Sequence, residues 1–170
     1  MLTKTQVKVI MILLDDGGHA GWDIAKQLGE KKEESNLSPI LKKLESMGII
    51  YQGEPRKSRK QQKRSGDYKE FPYYLKMSLE TIKNVIRELI ETNLRETWFI
   101  FKIIAGSNYL ASMREKFEDD IDIAIEDELR KSPIFSDDFY KSLVKGGLCL
   151  MEAPPDPEKD EIRFWWYYNR

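Results

Sequence analysis

The chain is poor in the residues that carry most enzyme chemistry. It has one histidine, His19, and one cysteine, Cys149, in 170 residues. Two such side chains fall short of a structural zinc site, which takes about four. A single cysteine also excludes an internal disulfide framework. A nucleophile–base relay would have to use His19, which stands at the entry to a predicted helix and reads as structural. Cys149 lies among Leu148, Leu150 and Met151 and reads as core. There is no glycine-rich phosphate loop followed by Lys-Ser or Lys-Thr. No apolar run reaches the roughly 18 residues of a membrane helix. The first apolar run ends in Asp15 and Asp16, with no small-residue cleavage site, unlike a secretory signal. These absences predict a cytoplasmic protein that is not an enzyme, needs no cofactor and does not enter a membrane.

What is abundant is charge, unevenly placed. Residues 1–76 hold 15 Lys and Arg against 10 Asp and Glu, a net of +5; residues 77–170 hold 13 against 19, a net of −6, which restores the overall −1. A basic first half and an acidic second half suit a chain in which only the first half meets a polyanion. The acidic run around Asp119, Asp120, Asp122, Glu126, Asp127 and Glu128 lacks the central glycine and alternating ligands of a calcium loop. It reads as the wet face of a helix whose dry face is Phe117, Ile121, Ile125 and Leu129.

The pattern predicts a mainly α, α+β chain. Thr3 and Gln6 fit a capping box, and Val7, Ile10, Met11 and Leu14 then share one helical face. A second helix is expected over about Trp22 to Leu28, stopped at Gly29. A third is expected over 36–47, with Leu37, Ile40, Leu41 and Leu44 inward and Asn36, Ser38, Lys42 and Lys43 outward. Pro39 sets its start at Asn36 to Ser38, because proline costs least in the first turn. Ile49 to Tyr51 begins a strand, and Phe71 to Met77 reads as its return. Between them, residues 54–70 contain no aliphatic side chain and seven cations: Arg56, Lys57, Arg59, Lys60, Lys63, Arg64 and Lys69. That stretch is too polar to pack and predicts a mobile loop.

Helices followed by a hairpin with a cationic tip outline a winged helix-turn-helix over residues 1–78. A helix fits the major groove, with its first residues nearest the base edges. Asn36 and Ser38 are the candidates for base or cap roles, and Lys42 and Lys43 for phosphates. The basic wing 54–70 is the second candidate contact with a duplex, through Arg56, Lys57, Arg59, Lys60, Lys63 and Arg64. The expected partner is therefore double-stranded DNA. Two alternatives stand beside it: a winged-helix protein–protein interaction module and an RNA-binding winged helix.

The residues of this half also resemble a known family. His19, Gly21, Trp22, Asp23 and Ile24 look like the second-helix run of PadR-family regulators, with Ala20 as an extra residue. Leu37, Pro39, Leu41, Lys42, Lys43, Leu44, Glu45 and Gly48 match that family's recognition-helix pattern, and Ser38 stands where the family usually has Tyr. The resemblance covers about residues 5–90. It implies a homodimeric transcriptional regulator, usually a repressor, that dimerises through C-terminal helices.

Residues 79–170 read independently as a helical dimerisation region. Leu79, Ile82, Ile86 and Leu89 open a long helix directed toward Ile104. Leu110, Met113, Phe117, Ile121, Ile125 and Leu129 then recur at three- and four-residue steps, predicting one further amphipathic helix. Ser136 caps a shorter one, and a Pro-rich segment leads to an aromatic tail. Trp98, Phe101, Trp165 and Trp166 form a candidate pocket for a small-molecule effector, with dimer core as the alternative.

Overall fold

The computed structural model describes residues 1–29, 34–59, 68–92, 100 and 103–131. The chain divides into two compact units: Lys4–Lys76, and Met77 onward together with Met1–Thr3. The architecture is mainly helical with a small antiparallel β part.

In the first unit, α1 (Lys4–Leu13) and α2 (Gly21–Gln27) are joined by a tight polar turn. Asp15 Oδ1 accepts from the Gly17 amide at 2.9 Å, and Asp16 and Gly18 take φ of 60° and 66°. α3 (Glu34–Ser46) follows. It ends in a Schellman motif: Gly48 at φ 72° sends its amide to Glu45 O (2.9 Å), while Ile49 N reaches Leu44 O (3.1 Å). The apolar pair Ile49 and Leu44 that accompanies this cap is fully buried. The core of the unit is Val9, Ile10 and Leu13 from α1, Ile24 from α2, Leu37, Leu41 and Leu44 from α3, and Ile49, Ile50 and Leu75. Each such side chain contributes about 1.5–3 kcal/mol on burial.

α3 begins earlier than Pro39 suggested. The proline is the sixth residue of the helix, not a first-turn residue. Its fixed φ is helical, and the loss there is one backbone hydrogen bond to the preceding turn. Asn36 and Ser38 are therefore residues of the helix body rather than its caps.

The hairpin comes in two ladder segments. β1 (Ile50–Gln52) pairs with β4 (Tyr73–Leu75) in the register Ile50↔Leu75, and β2 (Arg56–Lys57) pairs with β3 (Lys69–Glu70) in the register Arg56↔Glu70. Gly53 N extends the first ladder to Pro72 O at 2.7 Å. Glu54 and Pro55 then stand opposite Phe71 alone, so one arm carries an extra residue. Pro55 and Pro72 have no amide hydrogen, which explains why the ladder breaks there. His19 adds a backbone bridge on the far side of β4, donating to Tyr73 O (3.1 Å) and accepting from Tyr73 N (2.8 Å). The expectation of an unpacked loop over 54–70 is thus overturned at its two ends, where Arg56, Ser58 and Glu70 are held by side-chain bonds. Lys60, Lys63 and Arg64 lie outside the described residues.

The second unit has α4 (Leu79–Thr92), α5 (Asn108–Phe117) and α6 (Asp119–Lys131). Ser107 caps α5, its Oγ accepting from Leu110 N at 3.2 Å. The single helix expected across Leu110 to Leu129 is two. Glu118 breaks it at φ 50°, and its amide bonds Arg114 O at 2.8 Å. α4 packs on α6, burying Ile82, Val85, Ile86 and Leu89 along with Ile121, Ala124 and Ile125. The wet-face reading of α6 fails for two residues: Asp122 is 4% exposed and Glu128 6%. They flank the apolar stripe and are paired, Asp122 with Arg114 at 3.2 Å and Glu128 with Arg87 at 3.3 Å. Asp119, Asp120 and Asp127 are exposed as expected. The expected helix at Ser136, Cys149, the aromatic tail and the pocket residues Trp98, Phe101, Trp165 and Trp166 lie outside the described residues. Among the described residues, no helix is long and apolar enough to cross a membrane.

Candidate nucleic-acid interface

Helical spacing separates α3 into two faces. Leu37, Leu41 and Leu44 are buried, whereas Asn36, Ser38, Pro39, Lys42, Lys43 and Ser46 are exposed. Glu45 is half-buried at the edge, and the outer face carries the two cations Lys42 and Lys43. Ser46 Oγ turns back onto Lys43 O at 2.7 Å, while no bond of Asn36, Ser38, Lys42 or Lys43 side chains competes for that face among the contacts described.

The Ser38 edge of α3 continues into a groove of about 370 Å³. Its walls are Ser38 and Leu41 on one side and Gln52, Tyr68, Phe71 and Tyr73 of the hairpin on the other. The helix face and the hairpin are therefore parts of one surface within the first unit. Gln52 donates to the Tyr73 hydroxyl at 3.4 Å. Burial and the nearby Glu45 carboxylate push the Tyr73 phenol above its ordinary range, so this hydroxyl stays a neutral donor.

The hairpin cations divide into two groups. Lys57, Arg59 and Lys69 are exposed. Arg56 is not available in the same way: its Nε donates to Glu70 at 2.9 Å and its other guanidinium nitrogen to Gly18 O at 3.0 Å. Glu70 is buried and also accepts from Trp22 Nε1 at 2.8 Å. Burial pushes the Glu70 carboxyl up. The donors Trp22, Arg56 and the Arg59 amide outweigh that and hold it below the ordinary glutamate range.

On the opposite face of the hairpin Tyr51 stacks on Tyr74, with centroids 5.5 Å apart and planes at 23°. The Tyr74 ring occupies the space a Cβ would need at both Gly18 and Gly53. His19 is buried between two carboxylates, with Nε2 to Asp15 at 2.7 Å and Nδ1 to Asp23 at 2.5 Å. It is a strut between the α1–α2 turn and β4.

Sequence reasoning singled out α3 and the cations but missed the groove residues Gln52, Tyr68, Phe71 and Tyr73 and the Trp22–Glu70–Arg56 cluster. Alternation in Lys69–Glu70–Phe71 was the available signal, since it places Glu70 on the inner face of a strand. No family model matches the chain, and no curated protein matches it.

Proposed function

We propose that the first unit is a winged helix-turn-helix that binds double-stranded DNA, and that the chain is a sequence-specific, PadR-like transcriptional regulator acting as a homodimer. α3 enters the major groove, the hairpin is the wing, and the C-terminal helices pair two copies. The observation that carries the reading is the continuity of one surface. The exposed face of α3 with Asn36, Ser38, Lys42 and Lys43 runs through the groove to the hairpin that bears Lys57, Arg59 and Lys69. The element order supports it too: α1, the His19 bridge, α2, α3, then the hairpin.

In this reading Lys42 and Lys43 meet phosphates and fix register, and Asn36 and Ser38 face base edges, Asn36 with the two-pronged amide that suits adenine. Pairing two copies sets the half-sites about one helical turn apart. The test is fluorescence anisotropy with selected duplexes across a salt series. If about four cations per subunit displace counterions, log affinity falls against log salt with a slope near −0.9 per contact. Asn36→Ala is expected to reduce operator preference by about 1–3 kcal/mol, and Lys42→Ala to weaken all sequences alike. Binding that is independent of salt, or equal for duplex RNA and duplex DNA, overturns the reading.

A further inference from the structure

The Glu70 carboxylate accepts four hydrogen bonds. The donors are Trp22 Nε1 (2.8 Å), Arg56 Nε (2.9 Å), Ser58 Oγ (3.3 Å) and the Arg59 amide (3.2 Å). Three of them lie on the opposite arm of the hairpin, and the fourth is on α2, 48 residues away in sequence. Arg56 extends the cluster to Gly18 O in the turn before α2. One buried side chain thus ties the outer ladder across itself and down onto the helices. The ladder needs such a tie. It has two residue pairs, it is separated from β1–β4 by the extra residue at Glu54–Pro55, and so short a ribbon has little stability of its own. A carboxylate buried without these donors would be strongly disfavoured, so the cluster holds as a whole.

We infer that Glu70 is a positioning residue: it fixes the outer ladder against α2, presents Lys57, Arg59 and Lys69 beside α3, and consumes Arg56 as its counter-ion. Its consequence for binding rests on the DNA reading above. Arg56, which sequence reasoning grouped with the phosphate contacts, is then a strut.

Two measurements on the full chain separate the two levels. The first needs no DNA. Hydrogen exchange is followed by NMR at the Arg59 amide and the Trp22 indole N–H. In Glu70→Gln both are expected to exchange at least about tenfold faster, while the Leu41 and Leu44 amides of α3 keep their protection. Unchanged protection at Arg59 and Trp22, or an equal loss throughout α3, overturns the proposal. Should Glu70→Gln not fold, Trp22→Phe removes one donor and no charge. Selective loosening of the Arg59 amide is then expected, and unaltered exchange there counts against the proposal. The second measurement is a salt titration with a mixed-sequence 30-base-pair duplex. Lys57→Gln is expected to lower the slope by about 0.9. Arg56→Gln is expected to act only through Glu70, so the Arg56→Gln/Glu70→Gln double variant keeps the slope and affinity of Glu70→Gln alone. A slope in the double variant lower by about 0.9 than in Glu70→Gln alone would make Arg56 a phosphate contact and sink its role as strut. No salt-dependent binding by the wild-type protein removes the DNA reading, while the exchange measurement still decides what Glu70 holds.

Discussion

Gly18→Ala should be among the most damaging single-methyl additions in the first unit. Two costs combine. Gly18 has φ of 66°, a conformation that costs an L-residue about 1–2 kcal/mol. The added Cβ would also fall 2.3 Å from Tyr74 Cζ and 2.4 Å from Cε1. The end of a side chain often swings aside, but this ring is confined. It stacks on Tyr51 at 5.5 Å and occupies the Cβ position of Gly53 on its other edge at 2.7 Å. Moving it gives up the stack, about 0.5–1.5 kcal/mol, and strains the strand as overpacking does, about 1–3 kcal/mol. The expected sum is about 3–6 kcal/mol, against about 4–10 kcal/mol for a unit of roughly 70 residues. Urea denaturation followed by far-UV circular dichroism measures it. The double variant Gly18→Ala/Tyr74→Ala separates the terms, because without the ring only the backbone penalty of the alanine remains at Gly18. Relative to Tyr74→Ala alone, the added methyl should then cost about 1–2 kcal/mol. A Gly18→Ala protein within about 0.5 kcal/mol of wild type would refute both the clash and the confinement of Tyr74.

Acid should loosen the hairpin. Glu70 is held below the ordinary glutamate value of 4.5, so its stabilisation is complete above that pH and is lost as pH falls through the folded-state value. Melting curves between pH 6 and pH 3 should show this loss, and Glu70→Gln should flatten that part of the profile; an unchanged profile speaks against the donors outweighing burial. In the second unit, Ser107→Ala removes the acceptor for Leu110 N and should cost about 1 kcal/mol, read as a lowered midpoint in the same denaturation assay. A neutral result would mean that water serves the α5 amides equally well.

The α3 core stripe was legible because Leu37, Leu41 and Leu44 recur at helical spacing. The start of that helix was not, since Pro39 was weighed by its missing hydrogen bond and not by its helix-compatible φ. The break at Glu118 left a trace that periodicity masked. The step from Phe117 to Ile121 keeps helical spacing, yet the charge changes from Arg114 and Lys116 to Asp119 and Asp120, as at the end of one helix dipole and the start of another. Asp122 and Glu128 read as wet because each was judged within its own helix. Arg87, the partner of Glu128, lies 41 residues away, beyond the reach of any local pattern. The same holds for Trp22 and Glu70. Exposed functional faces follow from local period, whereas buried polar clusters depend on which distant segments meet.

The extra residue opposite Phe71 has a consequence for how this hairpin tolerates change. Side chains of each arm alternate between the two sides of the ribbon, so slipping one arm by one position exchanges all the side chains of that arm. Adding or removing a residue between Gly53 and Arg56 would turn Arg56 toward water and bring Lys57 to the side of the Glu70 carboxylate, because the second arm from Glu70 to Tyr73 keeps its own alternation. Changes of length beyond the Ser58–Tyr68 hydrogen bond leave that parity untouched. The step from Gly53 to Arg56 thus acts as an odd–even setting for which cation meets the Glu70 carboxylate and which faces water.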